Sequence, residues 1–151
     1  MSRVGPTTSE MEILTTPAAQ LTAHQAPALL IARVKELLPE GGEVVAEAHQ
    51  GLDALQLLEA CAQAVAVLTG ARMRASGDGQ PASGMLVGAK SFQVARSARP
   101  GETVRIRSTM THALGPLQLH QVVAYGEEVG TTAGVCELAQ GELKVVRTEA
   151  S

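Results

Sequence analysis

The stretch Asp53–Gly70, DALQLLEACAQAVAVLTG, constrains the fold more than any other part of this 151-residue chain. Asp53 is a helix-capping residue, and Gln56 stands three positions on, the spacing of a capping box. Leu52 and Leu57 can close over that start as a hydrophobic staple. Gly70 is a natural stop, followed by Arg72 and Arg74, where cations suit a helix C-terminus. Between these ends apolar or small residues occupy nearly every face, which places the helix inside the protein. Ala60, Cys61, Ala62, Ala64 and Ala66 keep it thin enough for strands to approach closely. Glu59 is the only charged residue from Ala54 to Ala71. A carboxylate in the middle of a buried helix is costly unless paired, hydrogen-bonded or protonated, so Glu59 is the strongest functional clue.

The length suits one domain with a real core. One Phe, one Tyr and no Trp leave almost no stacking platform for single-stranded nucleic acid, and a net charge of −3 argues against a general nucleic-acid binder. No apolar run is read as a membrane span, and MSRVGPTTSE lacks the apolar segment of a signal peptide. Cys61 and Cys136, with no CxxC, read as two reduced thiols of a cytoplasmic protein. Charge is uneven along the chain. Residues 61–110 carry seven cations and two acids, whereas residues 1–60 carry three cations and eight acids. The middle third can present a basic surface to an acidic partner, or its cations can simply solvate strand faces.

Residues 1–16 read as a frayed or disordered tail, and residues 17–151 as a single domain. Pro17–His24 suits one short helical turn. Ala28–Leu38 and Glu43–Ala48, joined by Pro39-Glu40-Gly41-Gly42, read as a strand hairpin. Ser76–Ser83 is a loop after the helix. Met85–Arg96 is a strand containing Gly88, a residue type that in strands marks a bulge or a close approach by a ligand. Thr103–Thr111 alternates, with Val104, Ile106 and Met110 on one face and Arg105, Arg107 and Thr109 on the other. Leu117–Tyr125 and Gly134–Val146 complete the set. A hairpin, one long helix and four strands on short turns make an α+β chain whose mostly antiparallel sheet curls around the helix. Such a sheet leaves open edges, so dimerisation is expected.

These residues resemble the hotdog-fold 3-hydroxyacyl-[acyl-carrier-protein] dehydratases from about residue 20 to 147. The family's Pro-His-x-x-Pro-x-Leu-Leu is similar to Ala23-His24-Gln25-Ala26-Pro27-Ala28-Leu29-Leu30. Its helix motif Glu-x-x-Ala-Gln-Ala matches Glu59-Ala60-Cys61-Ala62-Gln63-Ala64. Leu86-Val87-Gly88-Ala89-Lys90, Arg99-Pro100-Gly101-Glu102 and Ala139-Gln140-Gly141-Glu142-Leu143 are also similar to family segments. The usual His-Phe-Pro-Gly loop is replaced by the shorter His49-Gln50-Gly51-Leu52-Asp53. A divergent branch associated with aryl polyene pathways looks closer, since it too lacks that loop and keeps a histidine shortly before the helix.

The resemblance implies a hotdog fold and a dehydratase (hydro-lyase) acting on 3-hydroxyacyl thioesters on acyl carrier protein, in fatty-acid or polyene-type biosynthesis. It implies a homodimer, or a heterodimer with a second hotdog subunit, and no bound cofactor, because the pantetheine arm arrives with the substrate; no metal is expected, because the sequence carries no metal-ligand spacing. Dehydration needs a base for the Cα proton, an acid for the hydroxyl and dipoles on the thioester oxygen. The implied pair is Glu59 with a histidine across a dimer interface, either His49 before the helix or its rival His24. Gln63, one turn beyond Glu59 on the same face, can orient that carboxylate or bond across the interface. Gly88 can let an acyl-pantetheine chain run along its strand, or merely form a bulge. Arg72, Arg74, Lys90, Arg96 and Arg99 are candidate contacts for the acidic carrier or the pantetheine phosphate. His112 and His120 receive no role. Two alternatives stand beside this reading: a hotdog acyl thioesterase, and a non-catalytic acyl-binding subunit of a hotdog heterodimer.

Overall fold

The computed structural model describes Leu14 and residues 29–46, 48–77, 83–127 and 135–148. Apart from Leu14, which is helical and half-buried, the tail and the Pro17–His24 turn lie outside the described residues, as does His24. Strands β1 (Ile31–Leu38) and β2 (Gly41–Ala46) form the hairpin around Pro39 and Glu40. Helix α1 (Ala54–Ala75) follows. Then come β3 (Ser83–Val94), β4 (Thr103–Leu114), β5 (Leu117–Glu127) and β6 (Cys136–Thr148). All pairings are antiparallel, in one unclosed sheet of order β1-β2-β4-β5-β6-β3. The expected α+β arrangement is therefore present.

The helix begins as its residues dictate. Asp53 Oδ1 accepts the Gln56 N–H at 2.8 Å and Gln56 Oε1 accepts the Asp53 N–H at 2.9 Å, closing the capping box. Leu52 and Leu57 are both buried beside it. Its end differs from the expectation. Gly70 lies buried inside the helix, which continues to Ala75. A mid-helix glycine costs about 1 kcal/mol against alanine, yet the next turn makes contacts of its own. Ala71 is fully buried, and Arg72 donates to the Leu38, Pro39 and Gly41 carbonyls of the β1–β2 turn. The chain turns instead at Ser76 and Gly77, where Gly77 has φ of +100° and its N–H reaches Arg74 O at 3.1 Å.

One side of the helix packs on the sheet. Leu57, Cys61, Ala64, Val65 and Leu68 meet Val34, Val44, Val104, Ile106, Val122, Leu138 and Leu143 in a single buried cluster. Burial pushes the Cys61 thiol up to about 12, so it behaves as a small hydrophobe. At 22 residues the helix is in fact long and apolar enough to cross a membrane, a correction to the reading of its sequence. Its sheet-facing core side accounts for that apolarity. The helix can lie this close because Gly42 has no side chain: a Cβ there would stand 2.9 Å from Leu68 Cδ2 and 2.2 Å from Glu36 O.

The far face of the sheet is charged. Glu43 is flanked by Lys35 at 3.7 Å and Arg105 at 3.5 Å, and Arg107 lies 3.3 Å from Glu36. Arg105 thus pairs with a carboxylate on the neighbouring strand β2 and Arg107 reaches across β2 to one on β1, the solvating reading of the middle-third cations.

Candidate active site

The outward stripe of α1 carries Leu55, Glu59, Ala62 and Ala66, residues that helical spacing stacks on one face. Leu55 is 73% exposed, Glu59 is exposed, and Ala62 and Ala66 are half-buried. Glu59 is therefore not in the interior of its own chain, contrary to the sequence expectation. The physical reason is coverage: one sheet can bury only one side of a helix, and this stripe faces away from it. An apolar and small-residue composition on every face could not reveal which face the sheet would take.

Glu59 is nonetheless held. Gln63, 1% exposed, donates through Nε2 to Glu59 Oε1 at 3.4 Å. Its own Oε1 accepts the Leu30 N–H at 2.6 Å. That second bond fixes the amide orientation, since only the oxygen can accept and only the nitrogen can donate. Gln63 thus joins the segment entering β1 to the carboxylate on the helix. Of the two contacts expected of Gln63, the hydrogen bond to Glu59 is present within the chain.

The loop before the helix is stitched to the β3–β4 connection. Leu52 and Ala98 exchange backbone hydrogen bonds of 3.1 and 2.9 Å. Gly51 takes φ of +79°, and its N–H reaches Ala48 O at 3.0 Å. A Cβ on Gly51 would lie 2.6 Å from Ala98 O. His49 sits exposed on this fixed turn, at the capped end of the helix that carries Glu59.

The opposite strand of the connection is locked by an ion pair. Arg96 grips Glu102 with two bonds of 2.7 and 2.8 Å, and the Arg99 N–H adds a third at 2.6 Å. These donors, the Arg96 guanidinium first, hold the buried Glu102 carboxyl down at about 2. Arg96 is spent on this contact and Arg72 on the β1–β2 turn, so these two candidate carrier contacts have structural employment. Lys90 and Arg99 are exposed and Arg74 is half-buried. Gly88 lies at a bulge, with a register shift between Leu86 and Gly88, and a Cβ there would meet nothing nearer than Lys144 Cβ at 4.0 Å. The chain itself does not need a glycine at that position.

A second polar cluster escaped the sequence reading. His120 and Ser108 are buried at the other end of the helix, beside a cavity of about 430 Å³. Only the strand register could have disclosed it, because alternation alone puts a serine and a histidine on the core face without saying what lies opposite.

Among solved structures, the dehydratase heterocomplex ApeI:P from Xenorhabdus doucetiae matches with a TM-score of 0.76 at 16% identity, over 89% of this chain and 92% of that one. A thioesterase family protein from Silicibacter pomeroyi matches with a TM-score of 0.63 at 18% identity, over 85% and 93%. A hypothetical thioesterase with coenzyme A from Streptococcus pneumoniae matches at 0.55 and 10% identity, over 77% and 87%. These likenesses establish the hotdog fold. No curated protein matches the chain. A family model described as ApeP-like, ApeP dehydratase, matches residues 16–150, nearly the whole sequence. The chain belongs to the ApeP-like dehydratase family.

Proposed function

We propose that this protein dehydrates 3-hydroxyacyl thioesters carried by acyl carrier protein, at a site that Glu59 completes together with a histidine across a subunit interface. What supports this reading is the Gln63 link. A fully buried amide, anchored on Leu30 N–H, holds a lone carboxylate on the one helix face that the chain's own sheet leaves uncovered. A second hotdog subunit laid over that stripe turns an exposed acid into an enclosed one. The structural likeness to a dehydratase heterocomplex favours a partner of that kind.

The chemistry follows from the two groups. One takes the Cα proton and the other returns a proton to the departing hydroxyl, so water leaves with no net change in enzyme protonation. His49 is the favoured histidine, on the fixed turn at the helix start, and His24 the rival. No cofactor is required, since the pantetheine arm comes with the acyl chain. Arg74, Lys90 and Arg99 are the cations best placed to meet the acidic carrier.

The test uses the chain with its partner subunit and a 3-hydroxyacyl-carrier substrate, following the conjugated double bond by absorbance and free thiol with a thiol reagent. Double-bond formation without thiol release is expected. Thiol release without a double bond would instead make it a thioesterase.

A further inference from the structure

The turn that carries His49 is pinned at both ends to one stretch of chain, the β3–β4 connection. At its start the Ala48 carbonyl, bonded directly to the His49 nitrogen, accepts the Gly51 N–H at 3.0 Å and the Gly101 N–H at 3.4 Å. At its end Leu52 and Ala98 exchange two backbone hydrogen bonds, and both residues are buried. Gly51 stands so close to the Ala98 carbonyl that a Cβ would not fit between them. Residues 48–52 therefore take their place from residues 98–101, and a shift of the connection is passed on to His49.

One buried carboxylate shapes that connection. Glu102, 7% exposed, closes it and gathers donors from two other points along it. Arg96 sends two bonds from the entrance, and the Arg99 N–H sends a third from the middle. Arg96 also donates to the Ser97 carbonyl at 3.0 Å, so its guanidinium ties the entrance to the exit. The backbone adds a turn, with the Glu102 N–H on Arg99 O at 3.1 Å and Gly101 at φ of +85°. Gly126 on β5 leaves room for the carboxylate: a Cβ there would stand 2.8 Å from Glu102 Oε2.

The placing of these bonds says more than their strength. Ala98 lies between Arg96 and Arg99, and Gly101 lies between Arg99 and Glu102. The three residues of the clamp thus bracket the two that touch the His49 turn. An arginine–carboxylate fork holds two bonds in a fixed geometry. The carboxyl, held down at about 2, keeps its charge at any working pH, so the fork does not open on titration.

We propose that Glu102 is a positioning residue for His49, acting through Arg96 and the backbone of Ala98 and Gly101, a role that rests on the reading of His49 as the proton-transfer histidine. The test has two arms. In the first, amide hydrogen exchange is followed in the full chain carrying Glu102→Gln. Exchange at Leu52 and Ala98 should rise about tenfold, while Cys61 and Val65 inside the helix stay unchanged. In the second, dehydration by the assembled complex is measured with a 3-hydroxyacyl-carrier substrate. Glu102→Gln should lower kcat about tenfold and leave KM within about twofold, the mark of a misplaced group rather than a lost binding contact. Arg96→Lys keeps the charge on a partly exposed side chain but loses the fork, and should show both effects in smaller measure. In a His49→Ala background, Glu102→Gln should lower kcat no further, because its effect passes through that histidine. Unchanged exchange at Leu52 and Ala98 overturns the proposal. So does a loss of kcat that multiplies with that of His49→Ala, which would make the clamp a purely structural one. Full activity in His49→Ala overturns instead the reading of His49, and the exchange arm still decides whether Glu102 holds the turn.

Discussion

Gln63 does at residue scale what a positioning residue must: it joins a backbone N–H near β1 to a carboxylate on the helix. Replacing it by methionine keeps the volume but orphans the Leu30 N–H, so denaturant unfolding should show a loss of about 1–3 kcal/mol. The same variant should lower kcat more than it raises KM, because Glu59 loses its orientation; a purely structural role would leave kcat per folded molecule intact. Two buried titratable groups set the acid response. The Glu102 carboxyl is depressed from 4.5 to about 2 by Arg96, so its contribution is full above pH 4.5 and is lost as pH falls toward 2. The His120 imidazole is depressed from 6.5 to about 4, chiefly by burial, so its contribution is full above 6.5 and is lost as pH falls toward 4. Thermal melts should therefore weaken in two stages on acidification. Glu102→Gln removes the lower stage and His120→Phe the upper, and an unchanged profile in either variant contradicts the assignment.

Local chemistry explains the elements, and it was largely legible. The capping box, the β1–β2 turn and the alternation of β4 all appear in the structure where the residues place them, because each rests on contacts within a few positions. Asp53→Ala removes the cap and should cost about 1 kcal/mol, read as a lower denaturation midpoint. What could not be read were matters of distant contact. Gly70 looks like a stop, yet Arg72 finds three carbonyls on a turn more than thirty residues earlier and carries the helix onward. Gly42 is likewise legible only in three dimensions. Gly42→Ala adds a Cβ against Glu36 O and Leu68 at a φ of +152°, and should destabilise the hairpin by more than the cap variant.

In the whole molecule, one helix on one sheet leaves a stripe on which Leu55 and Glu59 are exposed and Ala62 and Ala66 only half-buried. The proposed function puts a chemical site on that stripe and has a second subunit enclose it, and no local pattern in one chain encodes where a neighbour sits. The same holds for the middle-third cations: Arg72 and Arg96 bond the protein's own carbonyls and a buried carboxylate, while Arg105 and Arg107 pair with carboxylates on the charged face of the sheet. Leu55→Lys places a charge in the stripe and should shift sedimentation toward smaller species while leaving the helix signal in circular dichroism unchanged. The most direct measurement is the dehydration rate of Glu59→Gln in the assembled complex, with folding and assembly confirmed beforehand. A fall of at least about a hundredfold, the usual scale for a lost proton-transfer group, is the outcome expected here. Undiminished turnover in that variant would contradict it and leave this chain a supporting subunit for chemistry performed elsewhere.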